Sequence, residues 1–177
     1  MSSYFVFGAI DSTTQVNLDA LTAATQGVVV KRAADARSAT PFPSSVDLET
    51  VLIPLLTAQG FEHHARLKHP RTDEGFEYDF WRAQDQVAME IMGYRADDEV
   101  YKDVLKFHVH EQTRVGVVWV PRWKWISGRR TDTNFRAAMK ALAFADSYMR
   151  VDALVALAYD WDAVVGEDAW SLRFVAE

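Results

Sequence analysis

The chain has 177 residues, is 49% hydrophobic and 12% aromatic, and carries a formal net charge of −6 at pH 7. These values predict one globular domain over residues 1–177 and exclude a disordered chain, and no apolar run approaches the roughly 20 residues of a membrane span. The net charge argues against indiscriminate coating of nucleic acid, and the absence of cysteine excludes disulfides, thiolate catalysis and cysteine-ligated zinc. Because no signal peptide is recognisable at the N-terminus, we expect a cytoplasmic protein.

The first 44 residues carry the weakest signals. The apolar segments 4–10 and 27–32 predict strands, residues 17–24 predict a short helix, and residues 38–45 resemble a linker. We therefore treat residues 1–44 as an N-terminal extension whose place in the fold the sequence does not define.

From residue 45 onward the periodicity is clearer. Ser44 or Ser45 is expected to cap a helix whose apolar stripe ends at Gly60, with a kink or a later start at Pro54. A strand over 61–68 and a hairpin over 77–92 are predicted next.

The second half continues with alternating helices and strands. Asp97 or Asp98 is expected to cap a helix, and the continuous apolar run 115–120 predicts a strand buried on both faces. A basic loop at 122–130, a helix over about 132–149, a buried strand at 153–159 and an edge strand at 170–175 complete residues 122–177. The sequence therefore predicts an α/β fold with a central mixed sheet flanked by helices and an αβββαβ core over residues 45–121.

The hairpin carries two acids among residues that favour burial. Asp79 lies between Tyr78 and Phe80, and Glu90 lies between Met89 and Ile91. A four-residue loop over 83–86 would place the two acids opposite each other, within reach of one divalent cation, whereas a five-residue loop would place them on opposite faces. Alternatively, both acids form salt bridges or lie in water at strand ends.

The order of elements and the run from Glu77 to Pro121 resemble the PD-(D/E)xK nuclease superfamily, and most closely the BglII-type restriction endonucleases. The shared features are an acidic strand pair, a helix containing Val-Leu-Lys-Phe at 104–107, and a Val-Gly-Val strand that ends in proline. The resemblance covers roughly residues 45–121. It implies a DNA endonuclease that uses Mg²⁺ or Mn²⁺, with Asp79, Glu90 and the backbone carbonyl of Ile91 as metal ligands.

Met92 departs from the family pattern, which has lysine, or in some members glutamine or glutamate, at this position. A thioether accepts hydrogen bonds weakly and donates none. Lys102 or Lys106 on the following helix is a candidate to supply the missing cation, unless both belong to a solvated face paired with acids. Glu49 on the preceding helix is either an additional metal ligand or an ordinary surface residue.

Residues 122–130 contain four cations and no acid. Aromatic residues alternate with the cations, an arrangement that can hold phosphates and contact bases, although a solvated turn would look the same. The candidate DNA-binding residues are Arg122, Trp123, Lys124, Trp125, Arg129 and Arg130.

Neither histidine pair predicts a zinc site. His63 and His64 are adjacent, so on a regular strand they are expected to face opposite sides of the sheet. His108 and His110 are two apart on a predicted helix and are expected to diverge.

The favoured function is a small metal-dependent endonuclease that cuts duplex DNA as a homodimer. A nuclease fold that has lost catalysis and acts as a binding or assembly module is one alternative, favoured by Met92 and by the net charge. An unrelated α/β domain that binds a small ligand is the other. No P-loop or dinucleotide-binding motif is present, so we expect no organic cofactor.

Overall fold

A computed structural model of the chain describes residues 4–31, 42–68, 75–93, 98–126 and 129–175. Ten strands and four helices lie within these residues. In chain order they are β1 (Phe5–Gly8), α1 (Ser12–Thr25), β2 (Val29–Lys31), α2 (Ser45–Ala58), β3 (Glu62–Lys68), β4 (Gly75–Arg82), β5 (Val87–Ile91), α3 (Asp98–Val109), β6 (Val115–Pro121), β7 (Lys124–Ile126), β8 (Arg129–Thr131), α4 (Thr133–Asp146), β9 (Ala153–Ala163) and β10 (Ala169–Phe174).

Eight of these strands form one mixed sheet. Seven lie in the order β2-β10-β9-β6-β5-β4-β3, and β1 also pairs with β9. The central strands β5, β6 and β9 are parallel, while β3, β4 and β5 run antiparallel as a meander. The order α2-β3-β4-β5-α3-β6 confirms the predicted αβββαβ core and the mixed sheet flanked by helices.

The sheet separates two apolar clusters because alternate residues of its central strands face opposite sides. On β6, Val117 and Trp119 pack in the cluster beneath α1 and α2, whereas Val118 and Val120 pack in the cluster beneath α3 and α4. All seven residues of β6 are buried, as expected for a parallel strand covered on both faces. We call these the α1/α2 cluster and the α3/α4 cluster.

The N-terminal residues belong to the sheet rather than extending from it. Strand β1 pairs antiparallel with β9, and β2 pairs antiparallel with β10. Leu18 and Leu21 of α1 are buried in the α1/α2 cluster. The pairing of β2 also corrects the prediction of an edge strand at 170–175, because β10 lies between β9 and β2.

A capping box sets the N-terminal end of α2. The Ser44 side chain accepts a hydrogen bond from the Asp47 backbone N–H, and the Asp47 carboxylate accepts one from the Ser44 N–H. The helix therefore starts at Ser45 and continues through Pro54, so the later start is wrong. Helix α3 begins at Asp98 in the structure, and the alternative cap Asp97 lies outside the described residues.

Gly116 of the Val-Gly-Val run allows α3 to approach β6 closely. A Cβ atom at this position would overlap the ring of Phe107 on α3. The hydroxyl of Tyr78 on β4 donates a hydrogen bond of 2.9 Å to the carbonyl oxygen of Lys106, one residue before Phe107. These contacts fix the helical turn that carries Lys106 against the β4–β5 hairpin.

Among the described residues, no helix is both long enough and apolar enough to cross a membrane.

Candidate active site

The loop that joins β4 and β5 has four residues, 83–86, as the even-loop prediction required. Arg82 pairs with Val87 and Phe80 with Met89, so continuing the register by one position places Asp79 opposite Glu90. The loop is held by Arg82, whose guanidinium donates hydrogen bonds of 2.8 and 2.6 Å to the two carboxylate oxygens of Asp85.

Side-chain alternation along β4 breaks at Asp79. Tyr78 packs in the α3/α4 cluster and Phe80 in the α1/α2 cluster, although residues two apart on a regular strand face the same side. The Asp79 carboxylate instead reaches the end of β5, where it accepts a hydrogen bond of 2.6 Å from the backbone N–H of Ile91. This bond fixes the acid beside the carboxyl end of β5.

The two acids line one cavity of about 350 Å³ between α2, the hairpin and α3. Every residue that the sequence assigned to catalysis or to metal binding lies on its wall. These residues are Glu49, Asp79, Glu90, Ile91, Met92, Lys102 and Lys106. Asp103 of α3 also lines the cavity, although the sequence assigned it no role in catalysis or metal binding.

The cavity brings together acidic groups whose charged forms are destabilised by burial and by one another. Burial, together with the nearby carboxylates of Asp103 and Asp79, raises the pKa of Glu90 to about 9 against the opposing effect of Lys106. Burial also raises the pKa of Asp79; the Ile91 N–H lowers it, and the charge of Glu49 raises it. Carboxylates that repel each other in a low-dielectric cavity form a donor set that suits a hard divalent cation such as Mg²⁺.

Lys106 is the cation nearest to Glu90 among the described contacts. Its Nζ atom donates a hydrogen bond of 2.7 Å to Oε1 of Glu90 and lies 3.3 Å from Oδ1 of Asp103. Burial alone would lower the pKa of Lys106, but the charges and hydrogen bonds of these two carboxylates outweigh it and raise the pKa. The ammonium group therefore stays charged inside the cavity.

Met92 is nearly inaccessible and belongs to the apolar α3/α4 cluster. Its backbone N–H donates to the carbonyl of Trp119 at 2.9 Å, and its carbonyl accepts a hydrogen bond of 3.2 Å from the Tyr159 hydroxyl. The main chain is thus fixed at this position, while the side chain offers no hydrogen-bond donor to the cavity.

The basic segment folds in part as a hairpin of β7 and β8. The Arg122 guanidinium lies 4.4 Å from the ring centre of Trp123 and 4.5 Å from that of Phe135, and its Nη1 atom is 3.6 Å from Asp132. Arg130 also lies over Trp123 and forms an ion pair with the buried Asp160. Both arginines therefore have partners within the protein.

The other predicted DNA contacts are placed differently. Arg129 is exposed on β8, and Lys124 donates a long hydrogen bond of 3.4 Å to Asn134. The side chain of Trp125 lies outside the described residues. The hairpin follows the carboxyl end of β6, and β6 runs parallel to β5, with Trp119 paired to Ile91. The basic hairpin and the two acids therefore lie at the same edge of the sheet.

His63 and His64 correct the expectation that adjacent histidines face opposite sides. Their Nε2 atoms lie 2.6 and 2.8 Å from the same atom, Oε1 of Glu49, and the two rings stack with centres 3.9 Å apart. His64 has a left-handed backbone with a φ of 52°, which turns its side chain toward that of His63. Strand periodicity gave no signal for this conformation.

The second histidine pair diverges as expected. His110 is buried, with Nδ1 2.9 Å from the Thr113 hydroxyl, and burial lowers its pKa. His108 accepts a hydrogen bond of 3.3 Å from the backbone N–H of Arg150.

Comparisons with known proteins agree with this geometry. A family model described as "Putative halobacteria restriction endonuclease" matches residues 11–159. The crystal structure of restriction endonuclease BglII complexed with a DNA 16-mer superposes with a TM-score of 0.55 at 12% sequence identity, covering 92% of this chain and 79% of that chain. A search among curated proteins finds no match. The structural likeness shows the restriction-endonuclease-like fold and confirms the resemblance inferred from residues 45–121.

Proposed function

The chain belongs to the family described as "Putative halobacteria restriction endonuclease", whose model spans residues 11–159, and on this premise we propose that it is a metal-dependent DNA endonuclease. One observation carries the proposal. Two carboxylates, the buried Glu90 and the half-buried Asp79, approach the same cavity from neighbouring strands, and the ammonium group of Lys106 lies beside them. The family match also makes the unrelated small-ligand domain the weakest of the three hypotheses.

The residues that would hold Mg²⁺ or Mn²⁺ are Asp79, Glu90 and the backbone carbonyl of Ile91, with Glu49 as an additional carboxylate on the cavity wall. The chemistry supplied by such a cation is polarisation of the scissile phosphate and a lowered pKa of a bound water. The protein contributes the fixed position of the ligands. The Ile91 N–H holds Asp79, and Lys106 holds Glu90.

We assign to Lys106 the cationic role that Met92 cannot fill. In this assignment Lys106 orients the Glu90 carboxylate and offers its remaining N–H groups to the attacking water or to a phosphate oxygen. Lys102, four residues earlier on α3, lines the same cavity and is the second candidate. The cation at this cavity would thus come from the facing helix α3 instead of from residue 92, where the family pattern has lysine.

DNA would lie along the edge of the sheet that carries both the acids and the basic hairpin. Arg129 is exposed there, and the guanidinium groups of Arg122 and Arg130 both lie over the Trp123 ring. In this arrangement Lys124 and Arg129 contact phosphates, while the part of the Trp123 side chain that the two arginines leave uncovered contacts sugar or base. We also propose a cytoplasmic location, where such an enzyme would meet its DNA substrate.

A homodimer would allow both strands of a duplex to be cut by symmetric active sites. An exposed apolar patch on α3 and the C-terminal half of α4 supports this proposal. Tyr101 and Leu105 on α3 are more than half exposed, as are Phe144 of α4 and Tyr148 just after it. A cluster of large, exposed apolar side chains is typical of protein–protein contact surfaces. We call these residues the α3–α4 patch.

Loss of catalysis with retention of the fold is the second hypothesis, and the buried, apolar Met92 favours it. A metal titration combined with a cleavage assay separates the two. The nuclease is expected to bind Mn²⁺ and to nick supercoiled plasmid DNA in Mg²⁺ or Mn²⁺. Binding of Mn²⁺ through Asp79 and Glu90 without nicking in either metal would establish the inactive module.

A further inference from the structure

A second cluster of metal-ligating side chains lies next to the Asp79–Glu90 cavity. It consists of Glu49 on α2 with His63 and His64 on β3, and one ligand atom from each residue lies within 4.8 Å of the other two. The two imidazole Nε2 atoms approach a single carboxylate oxygen of Glu49 at 2.6 and 2.8 Å. Three potential ligands therefore converge on one point.

The backbone departs from a regular strand in order to bring these side chains together. Pairing between β3 and β4 includes His63 with Phe80 and Ala65 with Tyr78, but skips the position between them, where His64 would pair with Asp79. At that position His64 has a φ of 52°, an uncommon conformation for a residue other than glycine. Such backbone strain persists only where the surroundings impose it, and it is concentrated at functional sites.

The ligand set differs in kind from that of the cavity. Asp79 and Glu90 offer only oxygen, which suits Mg²⁺, whereas two imidazole nitrogens and one carboxylate suit Zn²⁺, Co²⁺ and related transition metals. The side chains are 25%, 53% and 18% exposed for His63, His64 and Glu49, so an ion can enter from solvent and keep a position open to water. Glu77 lies 3.9 Å from the other ring nitrogen of His64, where a carboxylate can orient a metal-bound imidazole.

We propose that Glu49, His63 and His64 form a transition-metal site, selective for Zn²⁺ or Co²⁺ over Mg²⁺, in addition to the carboxylate site formed by Asp79 and Glu90. Glu49 contacts both regions, since it also lines the cavity, so its carboxylate connects the two sites. The inference is independent of whether the protein cleaves DNA, because it rests on the ligand geometry alone.

The test is Co²⁺ binding by the full chain after removal of metals with a chelator, in an Asp79→Asn/Glu90→Gln background that lacks the carboxylate site. We expect Co²⁺ to bind with visible d–d absorption typical of nitrogen coordination, and Zn²⁺ to displace it while excess Mg²⁺ does not. His63→Ala and His64→Asn are expected to weaken Co²⁺ binding at least about tenfold. Asparagine is chosen for His64 because it tolerates a positive φ.

His108→Asn is the matched control, because it removes an imidazole whose Nδ1 accepts a hydrogen bond from the backbone N–H of Arg150 and takes no part in the cluster. We expect this variant to bind Co²⁺ as its parent does, and circular dichroism verifies that each variant is folded. The proposal is overturned if the Asp79→Asn/Glu90→Gln background shows no Co²⁺ absorption. It is equally overturned if folded His63→Ala and His64→Asn bind Co²⁺ as tightly as the background. The three residues would then be a hydrogen-bonded cluster without metal.

Discussion

The Nζ atom of Lys106 on α3 lies 2.7 Å from Oε1 of Glu90 on β5, inside a cavity that Asp79 also lines. Met92, which follows Glu90 by two and lies directly after β5, packs in an apolar cluster and provides no cation. A positive charge is therefore present beside the two acids of the cavity, but it comes from the facing helix.

Replacing Lys106 with methionine tests whether this lysine acts in catalysis. Orienting and proton-transfer groups typically contribute about 10² to 10⁴ in rate, so we expect Lys106→Met to lower the rate of DNA cleavage by a factor in that range. Mn²⁺ binding should persist because Asp79 and Glu90 remain. Lys140→Met, which changes an exposed lysine on α4, is the control and should cleave like wild type.

Adding a lysine at residue 92 tests the same role from the strand. A Met92→Lys/Lys106→Met double variant should recover part of the lost cleavage, since it returns the cation to the position that the family pattern gives it. If Lys106→Met cleaves DNA at the wild-type rate, Lys106 only neutralises Glu90.

The buried carboxyl of Glu90 should make the stability of the metal-free protein dependent on pH. The pKa of Glu90 is raised from an ordinary value of 4.5 to about 9 in the folded state. The contribution of Glu90 to the free energy of unfolding is therefore fully present below pH 4.5 and is lost as the pH rises toward 9. We expect Glu90→Gln to raise the free energy of unfolding by on the order of 1 to 3 kcal/mol near pH 8, with the gain disappearing near pH 4.5.

Urea denaturation in the presence of a chelator measures this difference, with Glu62→Gln on β3 as a control for loss of an exposed acid. A lower stability of Glu90→Gln near pH 8 would mean that the ion pair with Lys106 stabilises the fold more than burial of the charge costs.

The basic hairpin should determine how strongly DNA binding depends on salt. Each phosphate contact releases counterions, so changing Lys124 and Arg129 to alanine should weaken binding and reduce the slope of log affinity against log salt by about 2 units. Arg114→Ala is the control, because it removes an arginine that immediately precedes β6, at the strand end opposite the hairpin. If the slope is unchanged in the double variant, the hairpin does not contact DNA phosphates and is simply exposed to solvent.

The α3–α4 patch should mediate self-association. The side chains of Leu105 and Phe144 are both exposed on the α3–α4 patch. Introducing charge there with Leu105→Lys and Phe144→Lys is expected to convert a dimer into a monomer, because the charges would be buried in the interface. Sedimentation velocity measures the change. Val16→Lys, at an exposed apolar residue of α1, should leave the association state unchanged. If the wild-type protein is monomeric at high concentration, the patch does not form a dimer interface.

The regular elements of the core could be predicted from residue 45 onward because their physical signals are local. A capping box starts α2, a four-residue loop sets the hairpin register, and a continuous apolar run identifies β6. The N-terminal strands could not be placed, since pairing of β1 with β9 and of β2 with β10 joins residues more than 100 positions apart.

The orientations of the His63, His64 and Asp79 side chains could not be predicted, because they depend on departures from regular strand geometry. The side chains of His63 and His64 come together only because His64 has a left-handed backbone, and Asp79 reaches Ile91 only because β4 loses its alternation there. Neither departure has a sequence signal such as glycine. The position of Lys106 depends on how closely α3 packs, which Gly116 permits but which a sequence pattern does not reveal.

Whether the Asp79–Glu90 cavity is the active site is tested most directly by the initial rate at which the protein nicks supercoiled plasmid DNA in Mg²⁺. The rates of wild type, Asp79→Asn and Glu62→Gln are compared. We predict that wild type and Glu62→Gln nick at equal rates, that a chelator abolishes nicking, and that Asp79→Asn is inactive although folded. A folded Asp79→Asn variant that nicks DNA at the wild-type rate would contradict the assignment of this cavity as the active site.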